Sequence, residues 1–224
     1  MGVSVTIVRK HPSVVVPGLA RAGATRQSVR MTAPVDLHPA VERLVGLIEA
    51  LSEDDLERPT PCEDYTVAAL LDHIDGGLLA FHGAAVKEPL PGGPSGDAGK
   101  LAPDWRTRIP RDARALADAW DNPGAWTGRT AAGGVELPGD VAGIVALDEL
   151  VLHGWDLARA TDQPAGYDGP GLEEVMAMVT EFRGRGIEGL FGPEVAVADG
   201  APLFARILGK TGRDPGWQPP ATSS

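Results

Sequence analysis

Between Asp140 and Thr161 the chain places Val141, Ile144, Val145, Leu147, Leu150, Val151 and Leu152 over more of a helical circumference than one narrow stripe covers. The segment therefore reads as a helix buried on most of its faces, with Asp140 as a polar cap at its start. Burial restricts what its polar residues can be. Glu149 and His153 stand four positions apart, and at roughly 100° per residue they project from nearly the same face, one turn apart. Asp156 falls within about 20° of Glu149 on the same wheel, whereas Asp148 points well away from His153. An ionised carboxylate in apolar surroundings is costly unless it is paired or bound to a metal. Two readings follow: a buried, hydrogen-bonded Glu–His pair, or two ligands of one metal ion whose third ligand comes from another segment.

A second segment offers that third ligand. Thr66 is a good N-cap, and Val67, Leu70, Leu71, Ile74, Leu78 and Leu79 give the run after it a helical period. His73 shares a face with Thr66, Gly77, Ala80 and Ala84, small side chains that leave room for a ligand. Gly76 and Gly77 each cost a helix about 1 kcal/mol relative to alanine, which points to close packing or access at that level. A lone histidine on such a helix is also compatible with an ordinary core residue. His82, nine positions on, is half a turn opposed and reads as surface or core. His38, at the start of an earlier helix opened by Asp36 and Pro39 and running to about Leu51, reads as exposed or capping.

The rest of the chain sets the architecture. Pro59 and Pro61 forbid a continuous helix between Ser52 and Asp64. Glu88 to Pro103 is dense in Gly and Pro; its Gly99-Lys100 suggests a phosphate loop, but Pro94 replaces the first glycine and Leu101 the magnesium-reaching Ser or Thr. It reads as a flexible surface loop or lid. Helical character resumes from Ile109 to Trp120, Trp126 to Gly139 reads as an irregular or hairpin-like connection, and Leu172 to about Phe182 as another helix that Arg183-Gly184-Arg185-Gly186 ends. Several helices without a convincing strand set predict an all-α bundle, in which metal sites are built from side chains on facing helices. The expected organisation is one main domain over residues 31–190 and a C-terminal wrapping tail over 191–224 with one short helix near Leu203–Leu208 and a frayed end at Ala221–Ser224. Residues 1–30 carry five of the 20 basic residues and none of the 31 acidic ones. They read as a disordered extension or a misplaced start ahead of Met31, with a targeting or interaction tail as the alternative.

The net charge of −11 argues against phosphate-backbone binding, so no nucleic-acid partner is expected. No apolar run approaches the roughly 18 residues that span a bilayer, so no membrane partner is expected either. The single cysteine, Cys62, suits a reducing compartment, and the expected location is cytoplasmic. Cys62 lies near a helix N-terminus, which leaves a reactive thiol and a buried structural cysteine both open.

Thr60-Pro61-Cys62-Glu63-Asp64-Tyr65-Thr66-Val67, then Leu70-Leu71-Asp72-His73-Ile74, and later the run from Glu149 to Thr161 resemble the actinobacterial mycothiol-dependent maleylpyruvate isomerase-like metal-binding family, within the wider DinB/YfiT-like superfamily. The similarity covers roughly Leu37 to Trp217 and includes Phe191-Gly192-Pro193-Glu194-Val195 and Gly212-Arg213-Asp214-Pro215-Gly216-Trp217 in the tail. The resemblance implies a DinB-like four-helix bundle with a short irregular C-terminal extension. It also implies His73, Glu149 and His153 as ligands of a divalent metal, zinc being the expected ion. In such relatives the metal activates a low-molecular-weight thiol, so the implied partners are a small-molecule substrate and a thiol, with mycothiol as the implied cosubstrate. The full second domain of the isomerase itself is not expected from this sequence, which leaves the substrate open.

Asp156 could orient His153 or a water, since metal-bound histidines usually need a partner on the other ring nitrogen, or could serve as a capping group. Trp155 and Arg159 could wall the pocket or bind an anionic ligand, with packing and surface ion pairing as the plainer readings. Three functions stay open: a metal- and thiol-dependent transferase or isomerase acting on a small electrophile, a metal-dependent hydrolase using bound water, and a non-catalytic metal-binding stress or regulatory protein. The oligomeric state is not set by the sequence, and a homodimer is compatible with it.

Overall fold

The structure, a computed structural model, describes residues 34–184 and 191–220. The extension at 1–30, the break at Arg185-Gly186 and the frayed end at Ala221–Ser224 lie outside the described residues. Helix α1 (His38–Glu49) has Pro39 in its first turn, where the missing N–H is no loss, and buries Val41, Leu44, Val45 and Ile48. His38 is exposed at its start, with Nε2 3.1 Å from Asp121 Oδ2. Helix α2 (Val67–Ala85) is capped by Thr66, whose hydroxyl accepts from the Ala69 N–H. Helices α3 (Trp105–Trp120) and α4 (Gly139–Ala160) each pack against both α1 and α2. Leu44, Leu70, Leu71, Ile109, Leu116, Ile144 and Leu147 fill the space between the four. Helix α5 (Leu172–Gly184) packs on α4, and α6 (Leu203–Lys210), within the tail, packs on α5.

The fold is mostly helical, but the all-α expectation is corrected by a hairpin of β1 (Arg129–Ala132) and β2 (Val135–Pro138), paired antiparallel with Ala132 opposite Val135. Gly133 and Gly134, at φ of 56° and 80°, form the two-residue loop, and positive φ at both is what a tight hairpin turn demands. Thr130 ties the hairpin to α2 by donating to the Ala84 carbonyl at 2.7 Å. With α5 and α6 added, the architecture is also more than a simple four-helix bundle. Helix α3 starts at Trp105 rather than Ile109; Pro110 in its second turn forgoes only one hydrogen bond. Helix α4 starts one residue before Asp140, at Gly139, where a Cβ would lie 2.5 Å from the Ala125 carbonyl oxygen and only glycine fits. No helix among the described residues is long and apolar enough to cross a membrane.

Helix α4 meets the hairpin connection through Gly143, where a Cβ would lie 2.5 Å from the Trp126 ring and 2.9 Å from Trp120. These two indoles pack edge to face at 5.1 Å, and Trp126 Nε1 donates to the Trp120 carbonyl, so neither ring is free to yield. Gly143→Ala should therefore cost about 1–3 kcal/mol of stability through overpacking. Gly46→Ala, where a Cβ meets nothing within 4 Å, should stabilise by up to about 1 kcal/mol. Urea denaturation of the two variants checks both signs.

Candidate metal centre

Helix α2 contributes His73, and the facing α4 contributes Glu149 and His153. Four-residue spacing on one helix brings His153 Nε2 to 3.1 Å from Glu149 Oε2, and the helix contact brings His73 Nε2 to 3.5 Å from the same oxygen. The two imidazoles meet edge to face with centroids 4.9 Å apart. One ligand atom from each of the three side chains lies within 4.8 Å of the others. His73 is 1% exposed, yet neither of its ring nitrogens has a hydrogen-bond partner among the described residues. Leaving a buried imidazole unpaired costs about 1–3 kcal/mol, so the arrangement is incomplete as a hydrogen-bonded cluster. Two imidazole nitrogens and a carboxylate oxygen fit a divalent metal with one position left open.

Burial alone would push the Glu149 carboxyl up, but His153 and His73 beside it hold it well below the usual carboxylate range. Burial lowers His73. Burial acts the same way on His153, but Asp156, Cys62 and Glu149 around its ring outweigh it and raise it well above its usual value. The cluster is therefore an environment in which positive charge between carboxylates is held in place.

Asp156 stands behind His153. Its Oδ2 accepts from His153 Nδ1 at 3.0 Å, from Arg213 Nη2 at 2.7 Å and from the Cys62 thiol at 3.1 Å, while Oδ1 accepts from Arg213 Nε at 2.9 Å. With a carboxylate as acceptor, the His153 proton belongs on Nδ1, and Nε2 is turned toward Glu149 and His73. Asp156 has no exposed surface. Burial would raise it, and the charge and hydrogen bonds of Arg213 and His153 hold it well below the usual range.

Sequence reasoning missed Arg213 as a partner of this group. The only signal was its place in the Gly212–Trp217 segment, where nothing local marks its target; Gly212, at φ of 83° and packed on Gly192, turns the chain there. Arg159 does not reach the cluster: its guanidinium donates to the Trp217 carbonyl, holding down the end of the tail. Trp155 is buried in the hydrophobic core. Asp148 is fully buried outside the cluster, its carboxyl pushed up to about 7 by burial and by the neighbouring Glu149 charge. The Cys62 thiol is pushed up by burial and by Asp156. The Glu88–Pro103 loop is tied to α2 by Asp72, which accepts from the Gly96 and Asp97 amides at 3.0 and 2.9 Å.

The front of the cluster opens onto a cleft between α1, α2, α3 and α4, into which His73, Glu149 and His153 all face. None of the Glu88–Pro103 loop residues lines it, nor do Trp155 and Arg159. The fold and site together define a mostly helical protein with a His–Glu–His cluster at the centre of its packed helices. Residues 37–158 match the family model described as the mycothiol maleylpyruvate isomerase N-terminal domain, and the chain belongs to that family. Two uncharacterized proteins of Mycobacterium tuberculosis, Rv0738 of strain H37Rv and MT0763 of strain CDC 1551, are each 27% identical over 155 residues, covering 66% of this chain and 80% of theirs. The crystal structure of the mycothiol-dependent maleylpyruvate isomerase is 14% identical, with a TM-score of 0.48 over 63% of this chain and 64% of that one. The chain thus spans less than two-thirds of that enzyme's length.

Arg213→Ala strands the Asp156 charge in the interior and should destabilise the protein by about 3–5 kcal/mol in denaturant titrations. The buried Cys62 thiol, already donating to Asp156, should react with a disulfide reagent only as fast as the protein opens, and at the rate of a free thiol once unfolded. Stopped-flow thiol titration in the presence and absence of denaturant distinguishes the two.

Proposed function

We propose that His73, Glu149 and His153 hold a divalent metal, zinc being the expected ion, in a DinB-like helical bundle. In this reading the protein is a metal- and thiol-dependent transferase or isomerase acting on a small electrophile. The observation that carries it is the buried His73 imidazole, which makes no hydrogen bond among the described residues and faces the Glu149–His153 pair across two packed helices. Membership of a family named for a mycothiol-dependent isomerase supports a thiol cosubstrate, with mycothiol the first to test.

The chain's own residues have separable tasks. Asp156 and Arg213 fix the His153 ring so that Nε2 faces the metal position. Glu149, kept ionised by its neighbours, supplies the negative charge that favours a cation over a neutral occupant. His73 adds a neutral nitrogen from the opposite helix, and the surrounding apolar core keeps bulk water out. When bound, such an ion lowers the pKa of a thiol, so that the nucleophilic thiolate is present near neutral pH.

Elemental analysis of the purified protein should give one equivalent of metal, lost in His73→Ala and in His153→Ala. Asp156→Asn should retain the site with metal affinity lowered about 10–100-fold, as loss of a histidine's outer partner does. Turnover of electrophiles such as maleimides or aryl halides should require added thiol. Hydrolysis by the metal-loaded protein without thiol would replace this reading by that of a hydrolase, and metal-loaded protein inert with every thiol tested would count against catalysis.

A further inference from the structure

A ligand larger than water has to move part of the chain to reach the His73–Glu149–His153 cluster. The cleft in front of it encloses about 20 Å³, room for about one water. Its walls include Leu44 of α1, Leu116 of α3 and Leu150 of α4, all in the packed core, so widening it from within means parting those helices. Another side of His73 is covered differently. Tyr65, half-buried in the connection that leads into α2, lays its ring beside the imidazole with centroids 5.7 Å apart. The chain at Gly96 crosses the outer end of that ring: φ there is 75°, and any Cβ would collide with the Tyr65 hydroxyl.

Residues 94–97 are tied to α2 along one face. Asp72 Oδ2 accepts from the Ser95 hydroxyl at 2.5 Å and from the Gly96 and Asp97 amides at 3.0 and 2.9 Å. One turn further along α2, a Cβ at Gly76 would lie 2.9 Å from the Pro94 Cα, and two turns beyond that, a Cβ at Gly83 would lie 2.8 Å from the Glu88 carbonyl oxygen. Asp72, Gly76 and Gly83 share a helical face, so the two glycines clear a track along which the chain returns from the end of α2 to the level of His73. The segment is tied down but little buried: Pro94 and Gly96 are half-buried, Ser95 and Asp97 exposed. Lifting it exchanges three hydrogen bonds for bonds to water and uncovers little apolar surface, whereas parting α1, α3 and α4 uncovers the core.

We propose that residues 94–97 form a strap latched by Asp72, and that its release lets the Tyr65 ring swing off His73 and opens the route by which ligands reach the cluster. With Gly96 withdrawn, rotation of Tyr65 about its side-chain bonds uncovers the imidazole with the helix packing unchanged. That the ligands are a thiol and an electrophile rests on the function proposed above; the opening itself does not.

The test is carbethoxylation of His73 by diethyl pyrocarbonate in the full-length, metal-free protein, read by peptide mass mapping. His38, whose side chain is 39% exposed, is the internal standard. In the parent, His73 should react at least about tenfold more slowly than His38, at a rate that urea leaves unchanged below the unfolding transition, because a local opening exposes little surface. Asp72→Ala, which removes the latch, and Gly76→Ala, which expels Pro94, should each raise the His73 rate about tenfold without moving that of His38. Asp72→Asn, which keeps an acceptor oxygen, should recover part of the protection. Denaturant titration checks that the variants are folded, and the urea dependence in the parent needs no variant. A parent that takes up no zinc while His73 responds to the latch would sustain the strap and remove the metal reading. A His73 rate that climbs with urea in proportion to global unfolding, or folded Asp72→Ala and Gly76→Ala proteins that react as the parent does, would each overturn the proposal.

Discussion

Asp156 carries a charge at a position with no access to water, and the arrangement around His153 depends on how that charge is met. Arg213 meets it with two parallel hydrogen bonds, the geometry in which a guanidinium best replaces lost hydration. His153 and Cys62 use the capacity that remains on Oδ2. Once the carboxylate is fixed, the imidazole ring has one orientation, and that orientation presents Nε2 to Glu149 and His73. The front of the cluster is thus ordered from behind, by residues that do not face the cleft.

The same division appears in the electrostatics. Behind His153, Arg213 and Asp156 form a nearly neutral pair that is costly to break but adds little net field. In front, Glu149 is held ionised by two imidazoles, one of which makes no hydrogen bond among the described residues. A buried ion pair of the first kind contributes geometry more than stability, whereas an incomplete cluster of the second kind is where added charge can be accommodated.

What could be read from the residues follows the range of the interactions involved. The four-residue spacing of Glu149 and His153 is local, and the structure places their facing atoms 3.1 Å apart. His73 was singled out by the small residues sharing its face, and α2 carries it to the same point. The double glycine signalled packing or access: Gly76 lies against Pro94, and Gly77 lines the cleft in front of His73. The Trp126–Gly139 stretch reads as irregular or hairpin-like, and the hairpin is there; strands of four residues each are too short for alternation to distinguish the two readings, which is why the fold was expected to be all-α. Arg213, by contrast, was hidden. Its partner lies 57 residues away, and no periodicity links a tail residue to the interior of a helix. Arg159, for which a pocket wall and a surface contact both stood open, reaches the tail, where a long side chain on the last turn of α4 donates to the Trp217 carbonyl.

The separation of Arg213 from Asp156 also fixes an order of events during synthesis. Asp156 is translated, with His153 before it, 57 residues ahead of the cation that neutralises it. At about 5–20 residues per second this leaves roughly 3–11 s in which a growing chain holds a carboxylate with no permanent counter-charge. During that interval burial of α4 around Asp156 is opposed by the cost of dehydrating it, or proceeds with the carboxyl protonated. The family's matched region, residues 37–158, ends inside this gap. The described tail, residues 191–220, therefore acts as a clasp: Arg213 reaches Asp156 from it, and Arg159 holds its Trp217 carbonyl.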